Sequence, residues 1–290
     1  MQTNRRSFLQ AAFGAAAVTS FAGCQSLCGC GAKTQVALQL YSVRGLMKDK
    51  DGFRKTLKAV RDIGYAGVEF AGYGGFPAPE LAKMLDDLGL QRAGTHLGLN
   101  TILPNEIQKT IDFNLAYGNR FLMVPWANAP KGCTDKAGYW KKLAEDLSVA
   151  AETAAKSGCF VGYHNHQHEF RDKVDGVAPF QILFDNASPR VCMQADVGHI
   201  VSAGEDPVAW FKKYPGRSRT LHAKEVYGGD SGATGVLGQP GKAKGVDWPE
   251  LFKATDAEGT LWYVVECESN PNTLEHVKAS FDFLHAAGRC

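Results

Sequence analysis

The sequence predicts an α/β fold, a single (β/α)8 TIM barrel over residues 35–290. Three observations lead there. Eight short apolar runs alternate with eight segments of helical hydrophobic spacing. The stretch is about 256 residues long, close to the ~250 typical of an eight-unit barrel. No glycine-rich dinucleotide fingerprint follows the first strand, where residues 41–45 read Tyr-Ser-Val-Arg-Gly. That counts against the open doubly wound sheet, the main rival for such an alternation.

The elements follow in order. Strand 36–41 is the run Val-Ala-Leu-Gln-Leu-Tyr, and helix 51–63 after it stops on Gly64. Strand 66–71 precedes helix 77–88, which stops on Gly89, and strand 91–96 precedes helix 104–117, which stops on Gly118. Glycine accepts the left-handed conformation that commonly ends a helix. Strand 120–125 leads to helix 136–157 and Gly158, and strand 159–164 leads to helix 177–187. Strand 191–196 leads to helix 206–214, and strand 219–224 to helix 247–258, which stops on Gly259. Both helices begin with an aspartate cap and an early proline: Asp206-Pro207 and Asp247-Trp248-Pro249. Strand 261–266 and helix 271–287, ending on Gly288, close the chain.

Composition fits one ordinary globular domain, 44% hydrophobic and 21% charged with net charge +2. So even a balance, with no Lys/Arg-rich run after residue 6, argues against a nucleic-acid partner. Residues 1–23 read as a twin-arginine export signal: Arg5-Arg6 followed by Phe8-Leu9 and a weakly apolar Ala/Gly stretch too short to span a membrane. The signal ends Phe21-Ala22-Gly23-Cys24, similar to a lipobox, so residues 24–34 are expected to be a tether from a lipidated Cys24. The expected location is the periplasm, with membrane attachment only through that lipid. Cys159, Cys192 and Cys267 lie in or beside apolar runs, as buried thiols do, and no disulfide framework or CxxC zinc pattern is present.

The functional signal lies at the strand ends. Residues 163–170 read Tyr-His-Asn-His-Gln-His-Glu-Phe, an unusual density of imidazoles behind an apolar run. Three later runs also end in ligand-type residues, so that His164, Asp196, His222 and Glu266 close four consecutive strands. In a barrel, reactive residues collect at the C-terminal strand ends, and these four side chains converge. Mixed nitrogen and oxygen donors suit one divalent ion, Mn, Co, Fe or Zn, better than calcium. Neighbouring strand ends supply Tyr41, Glu69, His96 and Trp126 as candidate substrate contacts, with Glu169 behind strand five. His166, His199 and Lys224 are candidate catalytic groups beside Glu266, and Lys224 lies two residues past His222 on the same side of its strand.

These residues resemble the sugar phosphate isomerase/epimerase family, the xylose-isomerase-like barrels of the endonuclease IV superfamily. The likeness covers nearly all of 36–288. It rests on Leu38-Gln39-Leu40-Tyr41-Ser42-Val43-Arg44, Gly67-Val68-Glu69-Phe70, Tyr163-His164-Asn165-His166, Asp196-Val197-Gly198-His199, His222-Ala223-Lys224-Glu225 and Val265-Glu266. It implies a metal held by His164, Asp196, His222 and Glu266, a substrate contact from His199, and a carbohydrate substrate. Many isomerases of the family carry glutamate where this chain has His164, so the symmetric mechanism in which two glutamates trade one proton loses a base here. The expected reaction is abstraction of a proton α to a sugar carbonyl by Glu266 or His166, with Lys224 and His199 orienting oxygens. Isomerisation or epimerisation is the first expectation. β-Elimination from 3-keto-glycosides is the alternative, and a non-catalytic sugar-binding lipoprotein the further one. An exported protein meets neither sugar phosphates nor chromosomal DNA.

Overall fold

The computed structural model describes residues 34–228, 230, 232–270 and 273–290. The export signal at 1–23, Cys24 and the tether up to residue 33 lie outside the described residues. Eight parallel strands make one sheet: β1 (Gln35–Gln39), β2 (Gly67–Phe70), β3 (Gln91–His96), β4 (Phe121–Val124), β5 (Phe160–His164), β6 (Cys192–Gln194), β7 (Thr220–Ala223) and β10 (Trp262–Val265). Their order is β6-β5-β4-β3-β2-β1-β10-β7. The two edges meet through a parallel bridge between Asp196 and His222 and a 2.9 Å bond from His222 N to Ala195 O. The expected barrel is therefore present. β8 (Tyr227–Gly228) and β9 (Ala233–Thr234) form a small antiparallel ribbon in the connection after β7.

Helices α1 (Lys50–Ile63), α2 (Ala78–Leu88), α3 (Ile107–Ala116), α4 (Lys136–Ala155), α6 (Pro179–Asn186), α8 (Pro207–Lys213), α9 (Trp248–Glu258) and α10 (Glu275–Ala286) are the eight expected ones. Aspartate side chains cap four of them: Asp49, Asp135, Asp206 and Asp247 accept from Gly52, Gly138, Val208 and Glu250 backbone N–H groups. Two single-turn helices, α5 (His168–Arg171) and α7 (Val197–Ser202), escape the periodic pattern because they are too short to show one. The first strand stops at Gln39 rather than residue 41. There the Gln39 side chain accepts from Tyr41 N and starts a 3-10 stretch over Leu40–Leu46. No helix among the described residues is long and apolar enough to cross a membrane.

The barrel interior is layered. Ala37, Ala93, Phe121, Met123, Cys192, Trp262 and Val264 form a buried apolar plug inside it. Two glycines make room for that plug. A Cβ on Gly162 would stand 2.6 Å from Met123 Sδ and 2.5 Å from Cys192 O, and one on Gly67 3.0 Å from the Trp262 ring. Closer to the C-terminal strand ends the buried residues turn polar: Gln39, Glu69, Gln194 and His222. The larger core lies between sheet and helices, and leaves the C-terminal mouth to the charged groups.

Candidate metal centre and active site

Each strand end delivers one group. His164 is the last residue of β5, and Asp196 follows β6, where it caps α7 by accepting from His199 N at 2.9 Å. His222 lies within β7, and Glu266 follows β10. One donor atom from each of these four buried residues lies within 4.8 Å of the others. The expected quartet is thus brought together. His96, His164 and His222 form an overlapping trio by the same measure.

The residues fit a cation. His164 Nδ1 and Asp196 Oδ2 are buried and accept no hydrogen bond, although Lys224 Nζ stands 3.5 Å from the latter. Buried polar groups are ordinarily satisfied, so open lone pairs facing two further donors mark a place for an ion. His222 is oriented for ligation. Its Nε2 faces Glu69 Oε2 at 2.6 Å, which leaves Nδ1 towards Glu266 Oε2 at 3.0 Å. A carboxylate behind a ligating imidazole is the usual way to fix its tautomer and ring angle. Burial alone would lower the basicity of His222, but the two carboxylates outweigh it and raise its pKa to about 10.

Glu69 and Glu169 were expected to touch substrate, and the structure places them differently. Glu69 is fully buried and accepts from Gln39 Nε2, Gln194 Nε2 and His222, with His96 Nε2 3.2 Å away. Burial opposes its ionisation, yet His96 and His222 hold it well below the usual carboxylate range. Glu169 is also buried, and accepts from Tyr163 Oη at 2.6 Å and His166 N at 2.8 Å. Neither lines the cavity, because each carboxylate is consumed in holding other groups in place.

Lys224 is buried on its strand, with Nζ 2.9 Å from Glu268 Oε2, 3.3 Å from Glu266 Oε2 and 3.0 Å from His199 Nε2. Burial would lower its pKa, but Glu266, Asp196 and Glu268 raise it. The ammonium thus balances the carboxylates of the site and stays charged. Burial and the neighbouring ammonium keep His199 neutral. Lys224 and His199 stand outside the cavity lining. A cavity of about 390 Å³ is lined by Tyr41, His96, Trp126, His164, His166, Glu266 and Glu268 among others. His166 offers it a buried Nδ1 with no hydrogen-bond partner, and burial pushes its pKa down to about 3. Sequence reasoning missed Ala71, Leu97, Gly98, Pro125 and Glu268 of this lining, and Glu268 is the one among them with a carboxylate. Its signal was legible, since it lies two positions past Glu266.

Residues 57–287 match the xylose isomerase-like TIM barrel family. The inosose dehydratase of Lacticaseibacillus casei is 25% identical over 204 residues, 60% of this chain and 67% of that protein. Inosose dehydratase 2 of Bacillus cereus is 30% identical over 165 residues, 50% of this chain and 53% of that protein. The chain thus spans between half and two thirds of these relatives. A solved sugar phosphate isomerase/epimerase from Parabacteroides distasonis superposes with a TM-score of 0.73 at 25% identity, over 89% of this chain and 98% of that one. A probable 3-DHS dehydratase from Bacillus anthracis shares the fold with a TM-score of 0.62 at 14% identity, over 87% of this chain and 99% of that one. With eight parallel strands closing a barrel and a match along most of its length, the chain belongs to the xylose isomerase-like TIM barrel family.

Proposed function

We propose that this protein is a divalent-metal-dependent lyase acting on a polyhydroxylated carbonyl compound. It removes the proton α to the carbonyl and expels an oxygen substituent from the β carbon. The observation that carries this reading is the open imidazole of His166 in the same cavity as Glu266, whose other lining carboxylate, Glu268, is paired with Lys224 Nζ at 2.9 Å. A cation held by His164, Asp196, His222 and Glu266 would supply Lewis acidity, polarising the carbonyl and acidifying the neighbouring C–H bond.

The chain's own groups divide the remaining work. His166 lines the cavity and its Nδ1 has no competing partner, so it is the group that accepts the α proton. Glu266 is less suited, since its Oε2 already faces His222 and Lys224 and the residue belongs to the quartet that would hold the cation. The C–H electron pair becomes the new C=C bond as the β C–O bond breaks. The oxygen leaves with its own pair and takes the proton that His166 holds, so no oxidant or reductant is consumed. One residue that takes and returns a proton suffices for elimination. Exchange between two faces of a carbon calls for a base on each. The dehydratase names of the sequence relatives support the same choice. We place this activity outside the cytoplasm, on the strength of the twin-arginine pair and Cys24.

The structural likeness to a sugar phosphate isomerase/epimerase favours a second reading, isomerisation or epimerisation after the same proton abstraction. Incubating metal-loaded protein with keto-cyclitols and keto-sugars in D₂O separates the two. The lyase reading predicts growth of an α,β-unsaturated carbonyl absorbance, and loss of at least ~100-fold in that rate in His166→Asn. Deuterated isomer or epimer without any unsaturated product would replace it with the second reading.

A further inference from the structure

The cavity lining combines two unlike sets of residues. His96, His164, His166, Glu266 and Glu268 carry its imidazoles and carboxylates. The rest is Tyr41, Ala71, Leu97, Gly98, Pro125 and Trp126, from the segments that follow β1, β2, β3 and β4. None of these six side chains is charged, and Ala71, Leu97 and Pro125 present no hydrogen-bonding group. A sugar ring has hydroxyls around its rim and needs partners for them, which these six residues supply sparsely. An apolar wall of this kind suits a flat hydrocarbon face.

Two of its aromatic rings are exposed yet held. Trp126 is 53% exposed and Tyr41 41%, which puts them among the few large hydrophobics left open to solvent in the described chain. The indole of Trp126 packs 4.3 Å from the ring of His168 and 4.9 Å from that of His166. His168 is itself fixed, with Nε2 2.9 Å from Ala127 O and Nδ1 3.2 Å from Glu169. The Arg44 guanidinium covers one face of Tyr41 at 3.9 Å, and Tyr41 N is tied to Gln39. Keeping such rings in water costs free energy in proportion to their area, and a preorganised ring recovers it when a ligand covers it.

We propose that the substrate carries an aromatic substituent joined through oxygen to the reacting polyhydroxy unit, and that the Tyr41–Leu97–Trp126 lobe binds that aromatic ring. The inference rests on the proposed elimination only in placing the ring on the departing oxygen; the binding preference itself requires no turnover. The ring then leaves as a phenol, a better leaving group than water.

Calorimetric titration of the metal-loaded mature chain tests this, with phenyl β-glucopyranoside, methyl β-glucopyranoside and a glucosyl-glucose disaccharide as probes. The phenyl compound is expected to bind about tenfold more tightly than either of the others. Trp126→Ala should bring the phenyl-to-methyl ratio close to one, and Trp126→Phe should keep most of it, with unchanged circular dichroism in both. Overturning results are phenyl binding no tighter than methyl, measurable or not, a disaccharide that binds as well as phenyl, or a preference that survives Trp126→Ala. A phenyl preference without any unsaturated product would sink the elimination reading alone. Elimination without a phenyl preference would sink this inference alone.

Discussion

Glu69 shows how much of this candidate site depends on residues outside the cavity lining. Its carboxylate fixes His222 through Nε2 and is itself fixed by Gln39 and Gln194. Groups behind a metal ligand typically contribute 10–100-fold to metal affinity. Glu69→Gln keeps the shape but loses the charge that holds His222, so metal affinity should fall by about that factor. Competition with a chromophoric chelator measures it, and an unchanged affinity would remove Glu69 from the metal's support. The quartet itself was legible in the sequence, because a ligand-type residue closing each of four apolar runs needs no knowledge of contacts. The roles of Glu69 and Glu169 were not. Both stand at plausible positions, but whether a carboxylate faces the cavity or a protein donor depends on partners such as Gln194, 125 residues from Glu69 in sequence. Gln39 and Gln194 carry no signal of their own until the barrel brings them beside Glu69.

At the level of elements, one buried side chain gathers several groups of the connection after β7. Glu225 accepts from the backbone N–H of Val226, Gly238 and Val246 and from Trp248 Nε1 at 2.9 Å. It stands next to Lys224, so the clamp also ties this connection to the charged floor of the site. Each buried donor left without a partner costs roughly 1–3 kcal/mol. Glu225→Ala should therefore lower stability by about 3 kcal/mol or more in guanidinium unfolding, and open residues 226–247 to limited proteolysis. Unchanged stability with intact protease resistance would contradict the clamp. Strand–helix alternation read from periodicity located all eight barrel strands, and missed short elements without a clear period: α5, α7, the β8–β9 ribbon and the 3-10 turns at Leu40–Leu46 and Leu99–Ile102. The early stop of β1 was equally hidden, since it comes from the Gln39 side chain competing for Tyr41 N.

For the whole molecule, the layered interior explains why the chemistry sits at one end. An apolar plug fills the barrel below, polar residues fill the layer above, and the four candidate ligands stand at the mouth. The N-terminal reading makes its own prediction, as a proposal about where this barrel works. Lysine at both Arg5 and Arg6 should leave the precursor in the cytoplasm, and Cys24→Ala should shift exported protein from the membrane to the soluble fraction. Fractionation with immunoblotting reads both outcomes, and export that ignores the arginines would overturn the signal. The central claim, a cation held by four consecutive strand ends, is tested most directly by elemental analysis of the purified mature chain beside Asp196→Ala. The account predicts about one divalent transition-metal ion per wild-type chain and its loss in the variant. No metal in either protein, even after reconstitution, would contradict it and leave a sugar-binding barrel as the better description.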